Sequence, residues 1–112
     1  MSDSTKNIQI LAKNVQKDPT DLFSKFALAL ELLKKNDVDK ARLLFESVLK
    51  QDSGYLGVYY HLGKLYQRLD MLDKAMQVFK DGVNQADKKN DPHSKSELLE
   101  AIEQLRYEFD TD

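Results

Sequence analysis

Two histidines, His61 and His93, are the only imidazoles in the chain, so a histidine general base or metal ligand would have to start from one of them. They stand 32 residues apart, and neither reads as having a local carboxylate partner at metal-binding helical spacing. With no cysteine, thiolate metal sites, thiol nucleophiles and disulfides are excluded. The glycines, Gly54, Gly57, Gly63 and Gly82, never cluster into a loop that could cradle a phosphate. The acid pairs Asp37/Asp39 and Asp70/Asp73 fall at expected helix starts, where negative charge is favoured. A carboxylate there is too exposed to hold a raised pKa for acid catalysis. The expectation is a protein with no catalytic residues, no cofactor and no metal. Lys64 and Arg68, one helical turn apart, could instead grip a carboxylate on another molecule.

Composition narrows the surroundings. At 112 residues the chain suits one compact domain. Its 41% hydrophobic and 32% charged residues suit a folded protein. A formal net charge of −2 with interleaved signs argues against a nucleic-acid or membrane partner. Lys34-Lys35 and Lys88-Lys89 read as helix ends, where cations complement the macrodipole. The first residues, from Met1 to Thr5, are polar, and no apolar targeting segment follows. The longest apolar cluster, residues 26–30, is too short to span a bilayer. A cytoplasmic protein is the default expectation.

The elements that position these groups are written in helical period. Residues 21–35, 38–50, 55–69 and 72–86 each carry an apolar stripe at spacings of three and four. No stretch alternates long enough for a strand, so the chain reads as all-α. Asp18-Pro19 and Asp91-Pro92 each place a carboxylate at an expected N-cap before proline. Asn36-Asp37, residues 52–54 and Asp70 are read as caps for the next helices. Ser94 and Glu97 have capping-box spacing. Connections this short force antiparallel neighbours.

Sliding the sequence against itself by 34 residues brings Leu22 onto Leu56, Leu28 onto Leu62, and Gln51 onto Gln85. The run Asp39-Lys40-Ala41 falls on Asp73-Lys74-Ala75, and Phe45 on Phe79. Roughly two identities would be expected from composition alone, and these seven include positions where helices must touch. At these residues the chain resembles the tetratricopeptide repeat family. The second unit carries Tyr59, Leu62-Gly63, Tyr66, Ala75, Phe79 and Gly82 at the family's marker positions. The first carries Leu28-Ala29, Ala41 and Phe45 but has Lys25 in place of the aromatic and Val48 in place of a small residue.

Backward extension of the register lays Ile10, Leu11 and Val15 over Leu44, Phe45 and Leu49. Residues 5–19 thus read as a degenerate half-repeat. Forward extension, with two residues inserted, lays Leu98, Leu99, Ala101, Ile102 and Leu105 over the first helix of a repeat, so residues 94–109 read as a capping helix. Residues 108–112 read as a frayed tail. The resemblance implies a single domain over residues 1–112, a short right-handed α-solenoid of antiparallel helix pairs, about six helices in all, with full repeats at 22–55 and 56–89.

The resemblance further implies a non-catalytic scaffold that binds a protein or peptide on a concave face lined by first helices. The residues at those places are Phe23, Phe26, Leu30 and Lys34, then Tyr60, His61, Lys64 and Arg68, with Gly57 beside them. Some relatives clamp chaperone carboxylate termini with Lys and Asn at these places. Phe26, Leu30 and His61 stand there instead, which disfavours that ligand class. The alternative is a homo-oligomeric module in which Phe23, Phe26 and Leu30 form the self-interface.

Overall fold

The computed structural model describes residues 3–110. Six helices account for nearly all of them: α1 (Asp3–Lys17), α2 (Leu22–Lys34), α3 (Val38–Gln51), α4 (Leu56–Arg68), α5 (Leu72–Lys88) and α6 (Pro92–Asp110). There is no strand among the described residues. The chain divides into two compact units, with the boundary between Asp52 and Ser53.

In the first unit α2 packs against both α1 and α3. The α2–α3 pair is antiparallel, because Lys25 near the start of α2 reaches Ser47 and Gln51 at the end of α3. Leu28, Ala29, Ala41, Phe45 and Val48 are buried. Lys25 is buried with them at 7% exposure. Its methylene stem fills the place of the missing aromatic, while its ammonium donates to Ser47 Oγ and Gln51 Oε1, both at 2.9 Å. That head lies at the last turn of α3, where the helix end is partially negative and favours a cation. On α1 the half-buried stripe is Ile8, Leu11 and Val15. Ile10 lies outside it at 51% exposure, which corrects the register-based choice of Ile10.

In the second unit α5 packs against α4 and α6, and α4 and α6 also touch. Lys95 at the start of α6 pairs with Asp87 near the end of α5 at 2.8 Å, and Gly82 further back on α5 faces Leu98 further along α6, so these two run antiparallel. Two glycines set how closely the helices approach. A Cβ on Gly63 would overlap the Phe79 ring at Cε1, and one on Gly82 would fall 2.7 Å from Tyr59 Cβ and 2.9 Å from Leu98 Cδ1. Leu98, Ala101, Ile102 and Leu105 of α6 are buried, whereas Leu99 is 45% exposed. The larger residue in the glycine place therefore turns outward. Glu108 and Phe109 are helical, against the expected fraying, and Thr111 and Asp112 of that tail lie outside the described residues, as do Met1 and Ser2 at the other end.

The turns follow a different chemistry from the expected one. Asn36, Asp70 and Asn90 adopt positive φ of 63°, 60° and 53°. In each case the next residue's amide bonds back five residues, as in Asp37 N to Leu32 O, Met71 N to Tyr66 O and Asp91 N to Ala86 O. These are left-handed closures of the preceding helix, not caps of the following one. Asp37, Tyr55 and Met71 occupy the N-cap places of α3, α4 and α5 without a side-chain cap bond. Where α2 begins, Asp21 is the cap, accepting from Ser24 N at 3.1 Å and Ser24 Oγ at 2.6 Å. Asp18 instead closes its own turn onto Thr20, so Pro19 precedes the helix rather than starting it. Asp91 does cap α6, with Pro92 as its first residue and Ser94 donating to Asp91. Ser94 therefore lies inside α6 and does not form the expected capping box.

Candidate functional site

The eight expected contact residues divide evenly between the units. On α2, Phe23 is 69% exposed. Phe26 is half-buried and tilts against Phe45, ring centroids 6.0 Å apart, so much of its surface is spent inside its own unit. Leu30 is half-buried as well. Lys34 pairs with Glu31 at 3.1 Å, and Glu31 also accepts from Ser4 Oγ at 2.7 Å. The Ser4 hydroxyl, then Lys34, holds the Glu31 carboxyl below its ordinary value. Through Ser4, α1 is docked onto α2.

On α4 the helical period brings Tyr60, His61 and Lys64 to one side. The His61 ring meets the Tyr60 ring edge-on, 5.7 Å between centroids. The Lys64 ammonium lies 5.9 Å from the Tyr60 ring centroid and donates to Gln104 Oε1 at 3.3 Å. Arg68 ends the helix and is exposed. One turn before Gln104, α6 contributes Glu100 and Ala101, and one turn earlier still Glu97. These residues, Gln104 and Tyr60 enclose a cavity of about 120 Å³. A second cavity of about 210 Å³ lies between Leu56, Gly57, Tyr60 and His61 of α4 and Ser94, Glu97 and Leu98 of α6. Tyr60 and Glu97 border both, so the two form one groove in the second unit. Lys64 and Gln67 run alongside Gln104 and Glu108 in the same order, so α4 and α6 are parallel here.

The α6 side of this groove was not foreseen from the sequence. Its carboxylates sit beside α4 because α4 and α6 touch across the second unit. A local pair was also passed over: His93 Nε2 lies 3.9 Å from Glu97 Oε2, one helical turn on, at a spacing readable in the sequence. Among the described residues no three His, Cys, Asp or Glu side chains gather to hold a metal ion, and no described helix is long and apolar enough to cross a membrane.

Burial holds the His61 imidazole below its ordinary value, and the Glu97 charge opposes that only in part. The native state thus prefers neutral His61. Its contribution to stability is complete above the unfolded value near 6.5 and declines as pH falls below it toward the lowered native value. Urea unfolding at pH 7.5 and at pH 5 is expected to show a stability loss that His61→Gln removes and His93→Gln leaves in place. An identical loss in His61→Gln would place its origin elsewhere.

The sequence profile of a tetratricopeptide repeat family matches residues 25–96. No curated protein sequence matches the chain. Among solved structures, it is similar to a tetratricopeptide repeat domain protein from Salinibacter ruber determined in solution, with 41% identity, a TM-score of 0.75, and coverage of 79% of this chain and 89% of that one. A crystal structure of a tetratricopeptide repeat domain protein from the same organism is 40% identical over 77% of this chain and 97% of that one, with a TM-score of 0.74. The TPR2B domain of yeast Sti1 in its pHsp70 complex shares the fold at a TM-score of 0.87, covering 95% of this chain and 85% of that one at 12% identity.

Proposed function

From the premise that this chain belongs to the tetratricopeptide repeat family, we propose that it is a non-catalytic interaction module. In this reading it takes a peptide or protein segment on the first-helix faces of its repeats. The observation that supports this best is the groove of the second unit, where Tyr60 borders two adjoining cavities between α4 and α6. Half-buried Tyr60 offers a large ring beside acceptors and donors, a combination enriched at interface hot spots. On the first unit the same role falls to exposed Phe23, with half-buried Leu30 two turns on and exposed Lys34 at the end of α2. Phe26 contributes less, because its ring leans on Phe45. The pHsp70 ligand of the Sti1 domain is not carried over, since that domain is 12% identical and shares only the fold.

The test is Tyr60→Ala in the full chain, used as bait for binding partners in a lysate and followed by affinity measurement on the partner recovered. Tyr60 is on the groove wall, so helicity by circular dichroism should be unchanged. Affinity for the recovered partner should fall about tenfold or more. Unchanged affinity in a folded variant would overturn the assignment of this groove.

A further inference from the structure

The groove of the second unit has a sign. Around Tyr60 the α6 wall presents two carboxylates, Glu97 and Glu100, and the side-chain carbonyl of Gln104. Glu97 also borders the neighbouring cavity. The α4 wall adds the Tyr60 ring, whose face attracts cations. One cation, Lys64, already uses that ring and the Gln104 acceptor, which shows that the site accommodates an ammonium. Burial keeps His61 neutral at ordinary pH, so it adds no positive charge to oppose a second cation. Glu97 lies 3.9 Å from His93 Nε2 on its own helix, at the longest reach of an ion pair, and Lys64 is already engaged, so two carboxylates against these groups leave this end of the groove acceptor-rich.

We propose that the groove between α4 and α6 selects an extended peptide segment carrying lysine or arginine, whose cationic head enters between Tyr60, Glu97 and Glu100. The proposal rests on the reading of this groove as a binding face and adds the chemistry of the occupant. The charged head meets the two carboxylates and the half-buried Tyr60 ring, where partial desolvation strengthens both attractions. The neighbouring cavity, floored by Leu56 and Leu98, receives an apolar side chain next to it. The competing occupant is an acidic segment drawn by Lys64 and Arg68. Lys64 is already held by Gln104 and Tyr60, and Arg68 lies at the far end of α4, two turns from His61.

The experiment titrates the isotope-labelled full chain with blocked octapeptides of one Gly/Ser/Leu framework carrying two lysines, two glutamates or two glutamines. The lysine peptide should shift the amide signals of Tyr60, Glu97 and Glu100 and bind about tenfold tighter than the others. In the double variant Glu97→Lys/Glu100→Lys, both sites being exposed, the preference should invert toward the glutamate peptide. A preference for glutamate in the unaltered protein, or one that survives the double variant, overturns the inference while leaving the binding face standing. If no peptide shifts α4 or α6 signals, the binding face itself falls, and the inference with it.

Discussion

Truncating Phe79 to alanine is expected to cost about 3–5 kcal/mol of stability, a large share of what a small domain possesses. The ring is fully buried and occupies the space that a side chain at position 63 would need, with Cε1, Cδ1 and Cζ all within 2.7 Å of where that Cβ would stand. Removing it opens a cavity bounded by helix backbone, which cannot collapse freely. The reverse error, Gly63→Ala, forces the ring or α4 aside and should cost about 1–3 kcal/mol. Because the two changes address one space, Gly63→Ala combined with Phe79→Leu should be less harmful than the sum of the singles. Urea unfolding followed by circular dichroism measures all of these. Strictly additive costs would mean the ring does not rest on Gly63.

The 34-residue period made much of this architecture legible. Buried positions such as Ala41, Phe45, Ala75 and Phe79 recur at that period because each repeat solves the same packing problem. What the period could not convey has physical reasons. Lys25 counts as polar in any apolar stripe, yet its stem is apolar and its head finds acceptors, so a buried lysine looks like a surface one. Asn and Asp are favoured both at N-caps and in left-handed closures. Composition therefore could not tell which side of the turn Asn36, Asp70 and Asn90 serve. The α4 half of the groove was readable because the repeat pattern names first-helix positions. Glu97, Glu100 and Gln104 were not, since their nearness to α4 depends on the register between two helices separated by a third. The aromatic character of Phe26 was legible, but its packing against Phe45 depends on how α2 and α3 approach.

The second large effect concerns Gly82, and it reaches the groove. Gly82→Val should cost about 3 kcal/mol, at the upper end for overpacking. Its Cβ would meet Tyr59 Cβ at 2.7 Å, Tyr59 Cγ at 3.0 Å and Leu98 Cδ1 at 2.9 Å. Tyr59 Cβ cannot swing away, because it is fixed to the α4 backbone, and the Tyr59 hydroxyl is tied to Ser53 O. Leu98 Cδ1 is the end of a flexible side chain and can turn aside, so the relief must come from α5 and α4 separating at Tyr59, the neighbour of Tyr60, and the amide signals of the groove should shift even where the variant stays folded. At the positions 34 residues earlier stand Lys25 and Val48, both buried, a slim stem with a branched residue in place of a ring with glycine. The two units therefore fill these equivalent places with different combinations of residues. Lysine keeps the Cβ that meets position 82, so Tyr59→Lys together with Gly82→Val should unfold at a lower urea concentration than Gly82→Val alone, by the loss of the buried ring. A double variant more stable than Gly82→Val would show that the Tyr59 ring, and not the approach of α4 to α5, sets the limit at position 82.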